Sequence, residues 1–297
     1  MTFVTRLAKI LGGLALLAYA SATAYLRLKE KSFVFHPAER GVALPAPSLK
    51  LRQHRIAYGS TDGTALTAWI VPAAHADSTG MWMLICHGNY GNIGYGQRPE
   101  FYAFARDLGL NLFAFDYRGF GESAGTPDES GLYDDAMASY RYLTDSLHVP
   151  SSQIVIFGHS LGSGVATELA SRVPAAALVL EGAFTSVVDR GQELYPILPV
   201  SLLATQRFAS IEKIGSVEVP KLFLHSPEDE VIPYAHGERL FAAAHEPKRL
   251  IAVRGGHMDA YTLDKATYFG ALGELLQQVM PAHAGNTSGH SGAQRVR

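Results

Sequence analysis

The feature that most constrains this chain is a serine set between glycines, Gly158-His159-Ser160-Leu161-Gly162, at the junction of two apolar segments of different period. The preceding run, Gln153-Ile154-Val155-Ile156-Phe157, is rich in β-branched residues and reads as a strand. After the serine, Leu161, Val165 and Leu169 recur at helical spacing. A strand that turns sharply into a helix strains the backbone at the serine and pushes its hydroxyl into open space. The flanking glycines fit because Cβ atoms there would collide with neighbouring backbone. The helix N-terminus then aims free N–H groups and a positive dipole end at developing negative charge. Ser160 is read as a nucleophile on this pattern; the plainer alternative is a helix N-cap.

The rest of the chain supplies a scaffold for such a turn. Strand-like segments occur at Gln53–Tyr58, Leu66–Val71, Trp82–Cys86, Asn111–Phe115, Gln153–Phe157, Ala177–Glu181, Lys221–His225 and Leu250–Val253. Helix-like segments occur at Arg98–Leu108, Gly131–Leu147, Leu161–Val173, Ala235–Ala244 and Lys265–Val279. The first two strands lie close enough for a hairpin, and the later ones alternate with helices. The pattern predicts the α/β class, with a mostly parallel eight-stranded sheet and helices on both faces. The expected catalytic domain spans 32–280. It starts with a proline-bearing linker over 32–50, and 183–216 interrupt the alternation as a small lid-like insertion. The Gly-, Ser- and His-containing tail over 281–297 reads as disordered.

The N-terminus is different in kind. From Ile10 to Leu26 no residue is charged, with Arg6 and Lys9 before and Arg27, Lys29 and Lys31 after. Such a run gives roughly 25 Å of helix, slightly short of a bilayer's hydrocarbon core. Residues 1–31 therefore read as a membrane anchor or as a signal peptide, since Ala22-Thr23-Ala24 resembles a cleavage site. The anchor is preferred because the apolar run continues past that tripeptide. If the segment is cleaved, the mature protein is periplasmic or secreted. The formal net charge of −2 and the absence of a basic stripe argue against a nucleic-acid partner. The single cysteine, Cys86, permits no intramolecular disulfide and reads as a small buried hydrophobe on a strand, not as a thiol nucleophile.

The partners for Ser160 are sought on loops that follow strands. His87-Gly88-Asn89-Tyr90-Gly91-Asn92 is a glycine-containing turn whose Asn89 N–H, with the Leu161 N–H, can converge on a carbonyl oxygen as an oxyanion hole. His87 reads as a structural histidine under that loop. Asp229 and His257 lie on successive post-strand loops, giving the chain order Ser, Asp, His. In this reading His257 takes the Ser160 proton and Asp229 orients the imidazole. Glu228, Glu230 and Asp259 are rival carboxylates read as solvated, and Glu181 is an alternative acid at the end of an earlier strand. The metal-binding pattern H-E-x-x-H and a Cys/His cluster are both missing from the sequence, so no metal or organic cofactor is expected.

With these motifs in place, residues 33–280 resemble the α/β-hydrolase superfamily, within it the branch of membrane-anchored, serine-aminopeptidase-like hydrolases. Phe115-Asp116-Tyr117-Arg118-Gly119-Phe120-Gly121-Glu122-Ser123 is similar to that family's D-Y-R-G-x-G-x-S segment, and Glu181-Gly182-Ala183-Phe184-Thr185-Ser186 adds to the likeness. The resemblance implies the α/β-hydrolase fold behind an N-terminal hydrophobic helix. It also implies catalytic roles for Ser160, Asp229 and His257, an oxyanion hole from Asn89 and Leu161, and hydrolysis of esters, thioesters or amides. Ser226 stands where a glycine is common, and Met258 where a polar residue is frequent.

The function expected is hydrolysis of a carboxylic ester or thioester through an acyl-serine, on a small-molecule or lipid acyl substrate. Phe184, Tyr195, Ile197, Leu202, Leu203 and Phe208 are candidate walls of an acyl pocket. Two rivals stand beside this reading. One is an aminopeptidase-like amide hydrolase, with Glu181 as the acid for an α-amine. The other is a non-catalytic membrane-tethered binding module on the same scaffold.

Overall fold

Strands that are apolar at every position need cover on both faces, and the sheet has it. The computed structural model describes residues 3–37, 41, 44–45, 47–75 and 80–280. Eight strands, β1 (His54–Gly59), β2 (Ala65–Val71), β3 (Trp82–Cys86), β4 (Asn111–Asp116), β5 (Ile154–His159), β6 (Ala177–Glu181), β7 (Lys221–His225) and β8 (Lys248–Ala252), form one sheet in the order β8-β7-β6-β5-β3-β4-β2-β1. The six strands from β8 to β4 are parallel. The edge hairpin β1–β2 is antiparallel, and β2 also runs antiparallel to β4.

Ten helices surround this sheet among the described residues. They are α1 (Phe3–Val34), α2 (Arg98–Asp107), α3 (Glu129–Arg141), α4 (Leu161–Ala170), α5 (Val187–Leu194), α6 (Val200–Leu203), α7 (Ser210–Lys213), α8 (Tyr234–Ala243), α9 (Ala260–Leu263) and α10 (Lys265–Val279). Alternate strand residues feed two separate cores. Leu84, Ile156, Leu178 and Phe223 pack with Leu132 of α3, Val165 and Leu169 of α4 and Leu240 of α8. Met83, Ile85, Val155, Val179 and Leu222 pack on the other face with Phe101 and Tyr102 of α2 and Leu272 and Leu276 of α10.

The chain moves outward from β3 to β4 and then returns across β3 to β5, so the topological switch lies between β3 and β5. In such sheets, ligand sites form beyond the carboxyl ends of the strands at that point. The loops bearing Asn89, Ser160, Asp229 and His257 follow β3, β5, β7 and β8 at that end.

Several expected boundaries shift. The proline-bearing linker begins later than residue 32, because α1 runs unbroken to Val34. The expected helix over Gly131–Leu147 starts at Glu129, capped by the Asp128 carboxylate on the Gly131 N–H, and gives way to a wider π-turn at Tyr142–Ser146. The 183–216 segment, expected as a small lid-like insertion, folds into α5, α6, α7 and a 3₁₀ turn at Ile214–Ser216. The tail over 281–297 lies outside the described residues.

Two glycines test how tightly the layers meet. A Cβ on Gly162 would run into the backbone carbonyls of Cys86 and His87, whereas one on Gly273 in α10 would meet nothing within 4 Å. Gly162→Ala is expected to cost about 1–3 kcal/mol by overpacking. Gly273→Ala is expected to gain about 0.5–1 kcal/mol from reduced unfolded-chain entropy. Denaturant unfolding of both variants in one detergent checks the opposite signs.

Candidate active site

Ser160 is the first place where local backbone conformation and chemistry meet. Its φ is +53°, in the region L-residues avoid. The turn is held by the Ser160 N–H donating to the Glu181 carbonyl at 3.0 Å and the Ser163 N–H donating to the Ser160 carbonyl at 2.8 Å. Gly158 and Gly162 permit the crossing. A Cβ on Gly158 would press on Ser163 and Ala166 of α4, and one on Gly162 would close the gap to the end of β3.

His257 Nε2 lies 2.8 Å from Ser160 Oγ, and its Nδ1 lies 2.7 Å from Asp229 Oδ2. The three side chains thus form one hydrogen-bonded chain in which the imidazole can accept the hydroxyl proton. Asp229 Oδ1 accepts the Val231 and Ile232 N–H groups at 2.8 and 2.7 Å, which fixes the carboxylate. Burial pushes the Asp229 pKa up, but His225, His257 and the Ile232 amide outweigh it and hold the carboxyl well below the usual range. Asp229 therefore stays ionised when the imidazole becomes charged.

The Asn89 and Leu161 N–H groups have no acceptor among the described residues, and both residues border the cleft that holds Ser160. The Asn89 loop is fixed from both sides. Its side-chain amide donates to the Val34 carbonyl at 2.9 Å, and its own carbonyl accepts the His36 N–H at 2.9 Å. Beneath it, the buried guanidinium of Arg98 donates to the carbonyls of Asn92, Tyr90 and Gly88. His87 lies in the core under this loop, against Tyr117 and Phe120, and burial pushes its pKa down. Cys86 is fully buried, and burial pushes its thiol pKa up.

The rival carboxylates have other roles. Glu230 is exposed, as expected, yet accepts the His257 backbone N–H at 3.1 Å, and the half-buried Asp259 accepts the Gly256 N–H at 2.6 Å, so both also shape the histidine loop. Glu228 is exposed and lies 3.4 Å from the Gly255 N–H. Ser226 ties the β7 and β8 loops together through the Gly255 carbonyl. Glu181 points away from Ser160. It borders a small cavity on the α2/α10 face with Arg98, Tyr102, His159 and Met258, and burial lifts its pKa to about 8.

His159 was not separated from its motif by sequence reasoning, yet its Nε2 lies 3.0 Å from the His257 carbonyl and its ring sits 4.9 Å from the His257 ring. Burial drives its pKa down to about 3, so the neutral ring donates that hydrogen bond. Gly182, at φ +52°, leaves room for the His257–Asp229 pair, which a Cβ there would approach to 3.1–3.3 Å.

A cleft of about 450 Å³ opens beside Ser160. Of the expected apolar walls, Phe184 and Tyr195 line it, and Leu203 lines an adjoining groove. Ile197 and Leu202 point outward, 80% and 84% exposed. Phe208 is fully buried between Phe35 and Tyr133 and belongs to the core.

Comparison with known proteins agrees with this fold. The family profile of the alpha/beta hydrolase fold matches residues 82–210. An uncharacterized protein of Mycobacterium tuberculosis is 37% identical over 252 residues, spanning 84% of this chain and 88% of that protein. The lysophosphatidylserine lipase ABHD12 of Danio rerio is 34% identical over 186 residues, 57% of this chain and 48% of that protein. Among solved structures, the Pyrococcus furiosus esterase Pf2001 superposes with a TM-score of 0.68 at 20% identity, covering 84% of this chain and 98% of its own.

The raised Glu181 pKa gives a signed prediction. The folded state keeps a proton that the unfolded chain releases between its ordinary value of 4.5 and about 8, so stability falls as pH rises through that window. Glu181→Gln is expected to flatten this decline. Melting temperatures of both proteins from about pH 5 to about pH 8 check it, and parallel curves would contradict it.

Proposed function

The chain belongs to the α/β-hydrolase family, and from that premise we propose that it is a serine hydrolase of carboxylic ester or thioester bonds. The observation that carries the reading is the chain Ser160–His257–Asp229, at 2.8 and 2.7 Å, at the edge of an apolar cleft. Ser160 Oγ attacks the acyl carbon as His257 Nε2 takes its proton. The carbonyl oxygen gains charge and is received by the Asn89 and Leu161 N–H groups. Collapse breaks the bond to the alcohol or thiol, which leaves with the proton from His257. Water, deprotonated by the same imidazole, then attacks the acyl-serine, and the acid departs as Ser160 regains its proton. Asp229, kept ionised by its hydrogen bonds, stabilises the imidazolium in both halves.

Several features favour a lipid-like acyl group. The cleft walls are largely apolar, from Phe184, Val187, Leu194 and Tyr195. The Danio rerio relative is named for lysophosphatidylserine lipase activity. Helix α1 is long and apolar enough to cross a membrane, and we read it as a retained anchor. Its helical conformation continues through Ala22-Thr23-Ala24 to Val34. The ester reading is favoured over the aminopeptidase one because Glu181, the acid expected for an α-amine, borders a cavity on the other side of the sheet from the cleft.

In hydrolysis of p-nitrophenyl butyrate by the full chain in detergent, Ser160→Ala and Asp229→Asn are each expected to lower kcat by about 10⁴-fold or more. Retained activity in Ser160→Ala would overturn the proposal.

A further inference from the structure

A second apolar cavity adjoins the cleft on the side away from Ser160. It lies between the last two turns of α1 and the cap helices α5 and α6. Leu26, Phe33 and Val34 form one wall, and Val187, Val200 and Leu203 form the other. Its two charged neighbours are already engaged. The Glu30 carboxylate accepts from the Thr205 and Gln206 N–H groups at 2.6 and 2.8 Å and from Thr205 Oγ1 at 2.5 Å, and Arg27 sits 3.6 Å from that carboxylate. A lining of this kind suits hydrocarbon and offers little to a polar ligand.

The groove and the cleft meet at shared residues: Phe33, Val34, Val187, Gly191 and Tyr195 border both. Gly191 stands in the middle of α5, and a Cβ there would come within 3.0 Å of Val200 Cγ1. Its missing side chain lets Val200 of α6 pack close against α5 where the groove and the cleft adjoin. The outer side of the groove is bounded by α1. Its wall is the helix long enough to cross a bilayer, and the neighbouring cap displays Leu194, Ile197 and Leu202, exposed by 56%, 80% and 84%. Apolar side chains so exposed on one small cap favour contact with lipid.

We propose that this groove, of about 80 Å³, extends the cleft of about 450 Å³ into an acyl-chain subsite, the cleft holding the carbonyl end of the chain and the groove its distal end. The hydrocarbon tail of a membrane-resident ester lies along the end of α1 and past Gly191, which places its carbonyl at Ser160. The anchor helix is then a wall of the substrate site, and Gly191 with Leu203 sets the length of chain accepted. The inference rests on the serine-hydrolase reading above and names the substrate class for it: long-chain acyl esters held in a bilayer.

The test uses the full chain in nonionic detergent micelles and compares kcat/KM for p-nitrophenyl laurate and butyrate. The wild type is expected to favour laurate. Gly191→Leu adds bulk where groove and cleft adjoin, and Leu203→Trp plugs the groove from a residue that does not border the cleft, so the second variant reads the same quantity if the first fails to fold. Both are expected to lower the laurate-to-butyrate ratio by about tenfold or more, the scale on which a hydrophobic pocket discriminates chain length. A wild type that turns over butyrate with no preference for laurate, or variants with the wild-type ratio, would overturn the subsite and leave the hydrolase reading standing. A folded wild type that hydrolyses neither ester would remove the hydrolase reading, and the subsite with it.

Discussion

The close approach of α4 to the end of β3 is the contact on which the site depends. It exists because Gly162 has no side chain: a Cβ would strike the carbonyls of Cys86 and His87. With that gap closed, Ser160 is held at φ +53° between β5 and α4. The Leu161 N–H is then brought to the same cleft as the Asn89 N–H from the loop after β3. A hydroxyl and two N–H groups without an acceptor among the described residues are thereby fixed by rigid elements, which is the preorganisation that the proposed oxyanion hole requires. His257 completes the arrangement from the far strand, its loop fastened by His159, Glu230 and Ser226.

Two carboxylates near this centre show how environment assigns roles. Asp229 has backbone amides and two imidazoles around it and remains an anion despite its burial. Glu181 ends a strand on the same sheet edge but enters a cavity with few compensating donors, and burial keeps it protonated up to about pH 8. Sequence offers both as acids at strand ends. What separates them is the face of the sheet each side chain enters, since Glu181 shares the α2/α10 side with Phe157 and Tyr261.

The central fold was legible because buried parallel strands leave short apolar runs bounded by turn residues. Trp82–Cys86, Ala177–Glu181 and Lys221–His225 have the boundaries read from sequence. Ser160 and Leu161 were legible because strand and helix periods meet at a fixed motif, and Asp229 and His257 because their loops follow strands in the expected order. Short helices such as α6 and α7 were not, being four residues each with no room for a periodic signal. Nor were contacts between distant segments. Arg98 under the Asn89 loop and Glu30 capping the 205–206 backbone look like ordinary helix charges until the chain folds. The junction of α1 with the loop at Asn89 is of the same kind: its hydrogen bonds use the Val34 carbonyl and the His36 N–H, backbone groups that no side-chain pattern reports. It joins the segment read as an anchor directly to the loop read as the oxyanion hole.

The central claim is that Ser160 is an activated nucleophile, and covalent capture tests it most directly. The full-length protein would be treated with a fluorophosphonate and the adduct located by peptide mass mapping. The account predicts a single phosphonylated site at Ser160, absent after heat unfolding and strongly reduced in His257→Ala. A folded protein that takes up no phosphonate, or takes it up at another residue, would contradict it.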